Sequence, residues 1–318
     1  MPEKVLVTRE IPEAGLRLLE DFDLTVLSEA PPERDELLEA ARGAAGVLST
    51  VTEKIDGEFM DAAGEGLKVV ANLAVGYDNV DVEAANVRGV IVTNTPGVLD
   101  ETTADVAFML LLAAARRLGE SERVLRAGKW EWWGPKLFMG PDVWGKKLGI
   151  IGLGRIGQAV ARRAKGFEMD ILYHNRSRKV EAERELGARY MDLGELLETA
   201  DFVTIHTPLT DETQHLIGRA ELHKMKSEAV LVNTSRGPVV DEGALADALA
   251  EGRIFAAGLD VYEEEPKVHP KLLELENVVL APHIGSGSIE TRNKMAALAA
   301  ENLAAVLRGE EPKTPVNG

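Results

Sequence analysis

Residues 147–165 constrain the fold of this chain more than any other stretch. Lys147-Leu-Gly-Ile-Ile151 is an apolar run of strand length, Gly152-Leu-Gly-Arg-Ile-Gly157 follows without a gap, and Ile156–Ala164 has the spacing of an amphipathic helix. The G-x-G-x-x-G pattern by itself says little, because 30 glycines in 318 residues supply about one chance match in every four such chains. Its position between a strand and a helix makes it informative. In that setting the first glycine turns the chain, the second lets a pyrophosphate approach the backbone, and the third lets the helix pack on the strand. The start of the helix offers unpaired N–H groups and the positive end of its dipole to phosphate oxygens. A dinucleotide-binding α/β fold on a parallel sheet is expected.

The same alternation of β-branched runs and amphipathic stretches extends along the whole chain. Val5–Val7, Leu24–Leu27, Gly46–Leu48, Val69–Leu73 and Val90–Val92 read as buried parallel strands, with helices at Glu13–Glu20 and Arg34–Arg42. A second series follows Lys147–Ile151, with strands at Ile171–Tyr173, Phe202–His206, Val230–Asn233, Ala257–Asp260 and Val278–Leu280. Gln158–Lys165, Leu193–Thr199 and Glu242–Ala250 read as helices between them. The 318 residues amount to about two domains of ~150 residues. No Pro/Ser-rich linker separates them, so Pro96–Leu99 and Gly285–Ser288 are the candidate hinges. Thr102–Arg117 and Ile289–Leu307 are Ala/Leu-rich, and the first is apolar on most faces, as helices between domains or subunits are. Lys129–Pro135 holds three of the four tryptophans, a composition that suits a core or an interface.

Composition limits the partners. The charge is 36 − 53 = −17, so a nucleic acid would be repelled at long range, whereas a small anion in a local basic pocket would not. With no cysteine there is no disulfide, thiolate metal site or cysteine nucleophile, and the six histidines show no metal-ligand spacing. No apolar run is long enough to span a membrane, and the chain enters a strand at Lys4–Thr8 without the layout of a signal peptide. A soluble cytoplasmic protein, without membrane or metal, is expected.

Two further segments carry chemistry. The strand after the glycine turn ends in Tyr173-His-Asn-Arg-Ser-Arg178, with no acidic residue to grip an adenosine ribose. Arg176 and Arg178 instead suit a 2′-phosphate, so NADP(H) is expected as the preferred cofactor, with NAD(H) still usable. At later strand ends lie Arg236, the run Glu263–Glu265 and His283. Reduction of a carbonyl leaves charge on oxygen that needs a cation and a proton donor. A histidine beside a carboxylate can donate, and an arginine can hold a substrate carboxylate through parallel N–H donors. The set suits a small 2-oxo acid reduced to a 2-hydroxy acid. Taken singly, each also fits a plain role: a surface ion pair, a solvated turn, a capped histidine.

The chain resembles the D-isomer-specific 2-hydroxyacid dehydrogenases along nearly its whole length. The motifs are Asn72–Asp78, Asn94–Gly97, Gly152–Gly157, His206–Pro208, Asn233–Gly237, Gly258–Pro266 and Pro282–Gly285. Asn175-Arg176-Ser177, Trp133–Lys136 and Thr291–Asn293 make it most similar to the glyoxylate/hydroxypyruvate reductase branch. Ser288-Ile-Glu290 departs from the Ala/Thr-rich stretch of that pattern. The resemblance implies two Rossmann-like or flavodoxin-like α/β domains with parallel sheets. The substrate-binding domain would be discontinuous, residues 1–97 plus 287–318, and the dinucleotide-binding domain would span 98–286. It implies a catalytic triad in which Arg236 binds substrate, His283 is the acid–base and Glu265 favours its protonated form. The N–H groups of Val75 and Gly76 would hold the substrate carboxylate, and Ser286 would touch substrate. Cofactor contacts would fall on Gly152, Leu153, Gly154, Arg155, Ile156 and Gly157 at the pyrophosphate, and on Asn175, Arg176 and Ser177 at the 2′-phosphate. Thr207 and Pro208 would lie on the adenosine side, and Thr234, Ser235, Asp260 and Gly285 near the nicotinamide. A homodimer is implied, with Trp133 capping the partner's site. A phosphoglycerate-type dehydrogenase is the alternative enzyme. A dinucleotide-sensing, corepressor-like binding protein is the alternative outside catalysis; such relatives carry disordered extensions, for which this chain has no counterpart.

Overall fold

The computed structural model describes residues 2–317. Its internal contacts divide the chain into two compact units, Met1–Leu99 with Ser286–Gly318, and Asp100–Gly285.

The first unit holds strands β1 (Lys4–Val7), β2 (Asp23–Val26), β3 (Gly46–Ser49), β4 (Val69–Asn72) and β5 (Ile91–Thr93). They pair in the order β2-β1-β3-β4-β5, all parallel, the flavodoxin-like arrangement. β3 and β4 are buried throughout, because helices cover both faces of a parallel sheet; their only polar residues, Ser49 and Asn72, end the strands and hydrogen-bond to each other. β2 corrects the sequence reading. It is an edge strand with no fully buried residue, since it has a neighbour on one side only. The last helix, Ile289–Leu307, belongs to this unit and is capped by the Ser288 hydroxyl, which accepts from the Thr291 N–H. It packs on β3, β4 and the short helix Glu13–Leu16. A Cβ on Gly15 would sit 2.7 Å from the Ala296 carbonyl oxygen, so the two helices touch backbone to backbone.

The second unit holds β6 (Lys147–Ile151), β7 (Asp170–His174), β8 (Arg189–Tyr190), β9 (Phe202–Ile205), β10 (Val230–Asn233), β11 (Ala256–Leu259) and β12 (Val278–Leu280). The order is β12-β11-β10-β9-β6-β7-β8, again all parallel. The order reverses between β6 and β9, where a doubly wound sheet opens its ligand crevice at the carboxyl ends of the strands. The pleat sends Leu148, Ile150, Phe202, Val230 and Val232 into one core and Ile151, Val203, Ile205 and Leu231 into the other. The Ala/Leu-rich helix Asp100–Ala115 lies on the first of these faces, against β10, β11 and the helix Arg155–Lys165. Gly258 on β11 permits a close approach, since a Cβ there would meet the Leu110 Cβ at 2.9 Å.

The tryptophans are not a core cluster. Trp130, Trp132, Trp133 and Trp144 are 53%, 66%, 77% and 64% exposed, and Leu118, Leu125 and Met139 are exposed with them. Among the described residues no helix is long and apolar enough to cross a membrane, and no group of His, Cys, Asp and Glu side chains could hold a metal ion.

Candidate functional site

The second unit brings the expected cofactor and triad residues to one edge of its sheet, because each follows the carboxyl end of a parallel strand; Val75, Gly76 and Ser286 belong to the first unit, and Trp133 lies between the helix Leu118–Arg126 and β6. The glycine turn follows β6. Gly152 has φ +97°, and a Cβ there would sit 2.6 Å from the His206 carbonyl oxygen. A Cβ on Gly157 would lie 2.2 Å from the Gly152 oxygen, so helix and strand can pack this tightly only without a side chain. A Cβ on Gly154 would meet nothing within 4 Å. The three positions thus match a turn, an open face for an anion, and a tight packing contact. Arg155 and Ile156 open the helix that follows, and their N–H groups have no partner within it.

Leu153, the first residue between the glycines, already has a partner for its N–H. Its N–H donates to Asn175 Oδ1 at 2.7 Å, which ties the glycine turn to the loop after β7. In that loop Arg176 and Ser177 are exposed. Arg178 forms a two-point pair with Glu183, from Nε at 3.0 Å and Nη2 at 2.6 Å. After β9, Thr207 is half-buried and Pro208 exposed. The hydroxyls of Thr207 and Thr234 are buried without a hydrogen-bond partner in the protein. A buried hydroxyl is costly to leave unpaired, so these orphans at strand ends fit contact with a polar ligand. His206 Nε2 lies 2.9 Å from Thr204 Oγ1, and burial pushes this imidazole down to about 3, which keeps it neutral.

His283 and Glu265 are joined directly. Nδ1 lies 2.7 Å from Glu265 Oε2, and the side chains remain 32% and 27% exposed. Burial raises the Glu265 carboxyl, but the His283 hydrogen bond and charge, the Tyr262 N–H and the charge of Arg236 outweigh it, so it sits below the ordinary glutamate value. Glu263 points elsewhere. It accepts from His215 and from the Glu242 N–H, while Glu242 accepts in return from the Glu263 N–H. Of the three glutamates, geometry therefore pairs Glu265 with the histidine. Gly237 lets the Arg236 turn reach this loop, because a Cβ there would sit 1.9 Å from the Tyr262 carbonyl carbon.

Buried polar residues hold this chemistry in place. Asp260, 1% exposed, accepts at one oxygen from the Ile284 N–H and at the other from the Gly285 N–H, each at 2.7 Å. Its own carbonyl takes the His283 N–H at 2.9 Å. Burial raises its carboxyl despite these bonds. Asn233, at the end of β10, donates to the Arg236 carbonyl and accepts from the N–H and hydroxyl of Ser235. In the first unit Asn72 donates to the Gly76 carbonyl and pairs with Asn79, and Asn94 donates to the Val75 carbonyl. The carbonyls of Val75 and Gly76 are thus pinned, while their N–H groups donate to no other described residue. Ser286 is half-buried, and its carbonyl accepts from Arg292 Nε. Asn72 and Asn233 open motifs already noted in the sequence, though with no role assigned to them, and Asn79 and Glu183 lie outside every such motif. Each is an ordinary polar residue in the chain, and only the hydrogen bonds distinguish it.

A doubly wound sheet with a glycine turn at its switch point and a histidine–carboxylate pair along the same edge defines a dinucleotide-binding oxidoreductase. Comparison with known proteins narrows the class. The family model "D-isomer specific 2-hydroxyacid dehydrogenase, NAD binding domain" matches residues 108–285. The chain is 55% identical to a glyoxylate reductase of Korarchaeum cryptofilum, covering 100% of this chain and 96% of that one. Among solved structures, a protein of Thermus thermophilus superposes with a TM-score of 0.93 at 48% identity, over 99% of this chain and 100% of that one. An NADPH-dependent glyoxylate/hydroxypyruvate reductase from Sinorhizobium meliloti, in complex with NADP and malonate, gives 0.87 at 38% identity, over 99% and 97%. This chain belongs to the D-isomer specific 2-hydroxyacid dehydrogenase family.

Proposed function

We propose that this oxidoreductase reduces glyoxylate to glycolate and hydroxypyruvate to D-glycerate, with NADPH as the preferred reductant. The observation that carries the reading is the 2.7 Å His283–Glu265 pair beside the Arg236 turn. Relatives called glyoxylate reductase at 50–55% identity over essentially the whole chain support the substrate class. The basic, acid-free loop at Asn175–Ser177 supports the cofactor preference.

The residues divide the work. The helix start at Arg155 and Ile156 would hold the pyrophosphate, and Arg176 with Ser177 the 2′-phosphate. Thr207 and Pro208 would face the adenosine. Thr234, Ser235, Asp260 and Gly285 would face the nicotinamide, which when bound supplies the hydride. Arg236 would bind the substrate carboxylate and carbonyl by parallel donors. His283 Nδ1 is engaged by Glu265, which leaves Nε2 as the atom that gives the carbonyl oxygen its proton. Glu265 favours the imidazolium that the reduction consumes. The first unit would act as the substrate-binding domain, its pinned Val75–Gly76 turn presenting two N–H groups to a carboxylate and Ser286 touching substrate. We further propose a cytoplasmic homodimer in which Trp133 reaches the partner's site; its 77% exposure suits that role.

Steady-state kinetics with glyoxylate, hydroxypyruvate and pyruvate, each with NADPH and NADH, test the proposal. Glyoxylate and hydroxypyruvate with NADPH should give the highest kcat/KM. A preference for pyruvate, or for NADH, would overturn the corresponding part.

A further inference from the structure

The loop between β7 and the helix Val180–Leu186 is fastened at both ends. At its start, Asn175 Oδ1 accepts from the Leu153 N–H at 2.7 Å, and the Tyr190 hydroxyl donates to the Asn175 carbonyl at 3.4 Å. At its end stands Tyr173, a fully buried side chain of β7 packed edge-on against Tyr190. The Tyr173 hydroxyl accepts from the Lys179 N–H at 2.8 Å and donates to Glu183 Oε1 at 2.5 Å. The same carboxylate takes Arg178 through two donors. The Arg178 bond, joined by that from Tyr173, holds the Glu183 carboxyl at about 2, so it is ionised throughout the neutral range.

Between these anchors only Arg176 and Ser177 point outward without such a hold. Arg176 makes no ion pair among the described residues, although its charge reaches Glu212. A guanidinium engaged at two donors by a carboxylate has most of its charge neutralised locally and its fork occupied. Arg178 therefore adds little to the field at the loop's tip, despite its position in the sequence.

We propose that Tyr173, Glu183 and Arg178 form a clamp that positions the cofactor-selecting loop, so that Arg176, with Ser177, is the cation for the 2′-phosphate and Arg178 is withheld from it. This rests on the NADPH preference proposed above. It makes Tyr173 and Glu183 positioning residues for cofactor choice, although neither would touch the cofactor.

The test is calorimetric binding of NADPH and NADH to the full-length protein, with kcat and thermal melting measured alongside. Three variants are needed: Arg176→Gln, Tyr173→Phe, and the charge-neutral pair Arg178→Gln with Glu183→Gln, whose amides can still hydrogen-bond. Arg176→Gln should weaken NADPH binding about tenfold or more and leave NADH within about twofold. The double variant should keep NADPH within about threefold of the parent, since its amides preserve the hydrogen bonds of the clamp and the charges it removes make no ligand contact. Tyr173→Phe should weaken NADPH selectively, by about threefold to tenfold, with kcat unchanged. If the double variant lost NADPH affinity as Arg176→Gln does, Arg178 would be a ligand and the clamp would be wrong. Equal loss of both cofactors in Tyr173→Phe would reduce Tyr173 to a support of the fold and also overturn it. If Arg176→Gln changed neither cofactor, the NADPH reading itself would fail, a result distinct from the other two.

Discussion

His283 adopts φ +53°, a left-handed conformation that costs a non-glycine residue about 1–3 kcal/mol and persists only where its surroundings enforce it. Asp260 supplies the enforcement through three backbone bonds to residues 283, 284 and 285. The strain and the buried carboxylate form one device, which aims the imidazole at Glu265. Asp260→Ala should therefore lower kcat while leaving the Ile284 and Gly285 N–H groups unpaired, the second of them buried at about 1–3 kcal/mol in stability; activity and denaturant unfolding measure both. Glu265→Gln should move the alkaline limb of the reduction rate profile to lower pH. The sign follows from the pair: Glu265 lies below the ordinary value and is ionised at neutral pH, so removing its charge removes support for the protonated imidazole. An unmoved limb would free Glu265 from that role.

At the scale of elements, packing explains what the sequence discloses and what it conceals. Strands such as β3, β4, β9 and β10 are buried throughout and read directly as apolar runs. β8, Arg189–Tyr190, has only two residues and no such signal, and β2 at the sheet edge has an ordinary apolar run but no buried position. By composition the Trp130–Trp133 stretch suits a core or an interface alike, and its exposure removes the first. The site divides in the same way. Residues proposed to do chemistry stand at strand ends as charged punctuation and are legible. The asparagines and Glu183 that orient them act through distances no sequence spacing encodes. Glycines lie between these cases. Gly237→Ala would place a Cβ 1.9 Å from the Tyr262 carbonyl carbon, forcing the Arg236 turn away from the Glu265 loop. We expect a fall in kcat/KM for glyoxylate of about 10² or more, because misplacement of about 1 Å has that scale. Kinetics near those of the parent would show that the two loops need not touch.

For the whole molecule, a charge of −17 and a set of anionic ligands stand in apparent conflict. The proposed function resolves it locally: backbone N–H groups at a helix start and at Val75–Gly76, together with Arg176 and Arg236, would act over distances shorter than the screening length of about 8 Å in physiological salt. The exposed apolar side chains between Leu118 and Trp144 have no such local explanation, and they suit burial against a second copy. Sedimentation at micromolar concentration should give a dimer. Replacing Trp132 and Trp144 by Ser should shift it toward monomer, and a parent protein that sediments as a monomer would remove the dimer from the proposal. In the proposed reaction His283 protonates a small 2-oxo acid as it is reduced. Its most direct test is glyoxylate-dependent oxidation of NADPH by the parent and by His283→Ala, with NADPH binding measured in both. The expected result is turnover by the parent, a loss of about 10² or more in kcat for the variant, and equal NADPH binding. Binding without turnover in the parent, or turnover that survives in the variant, would contradict it.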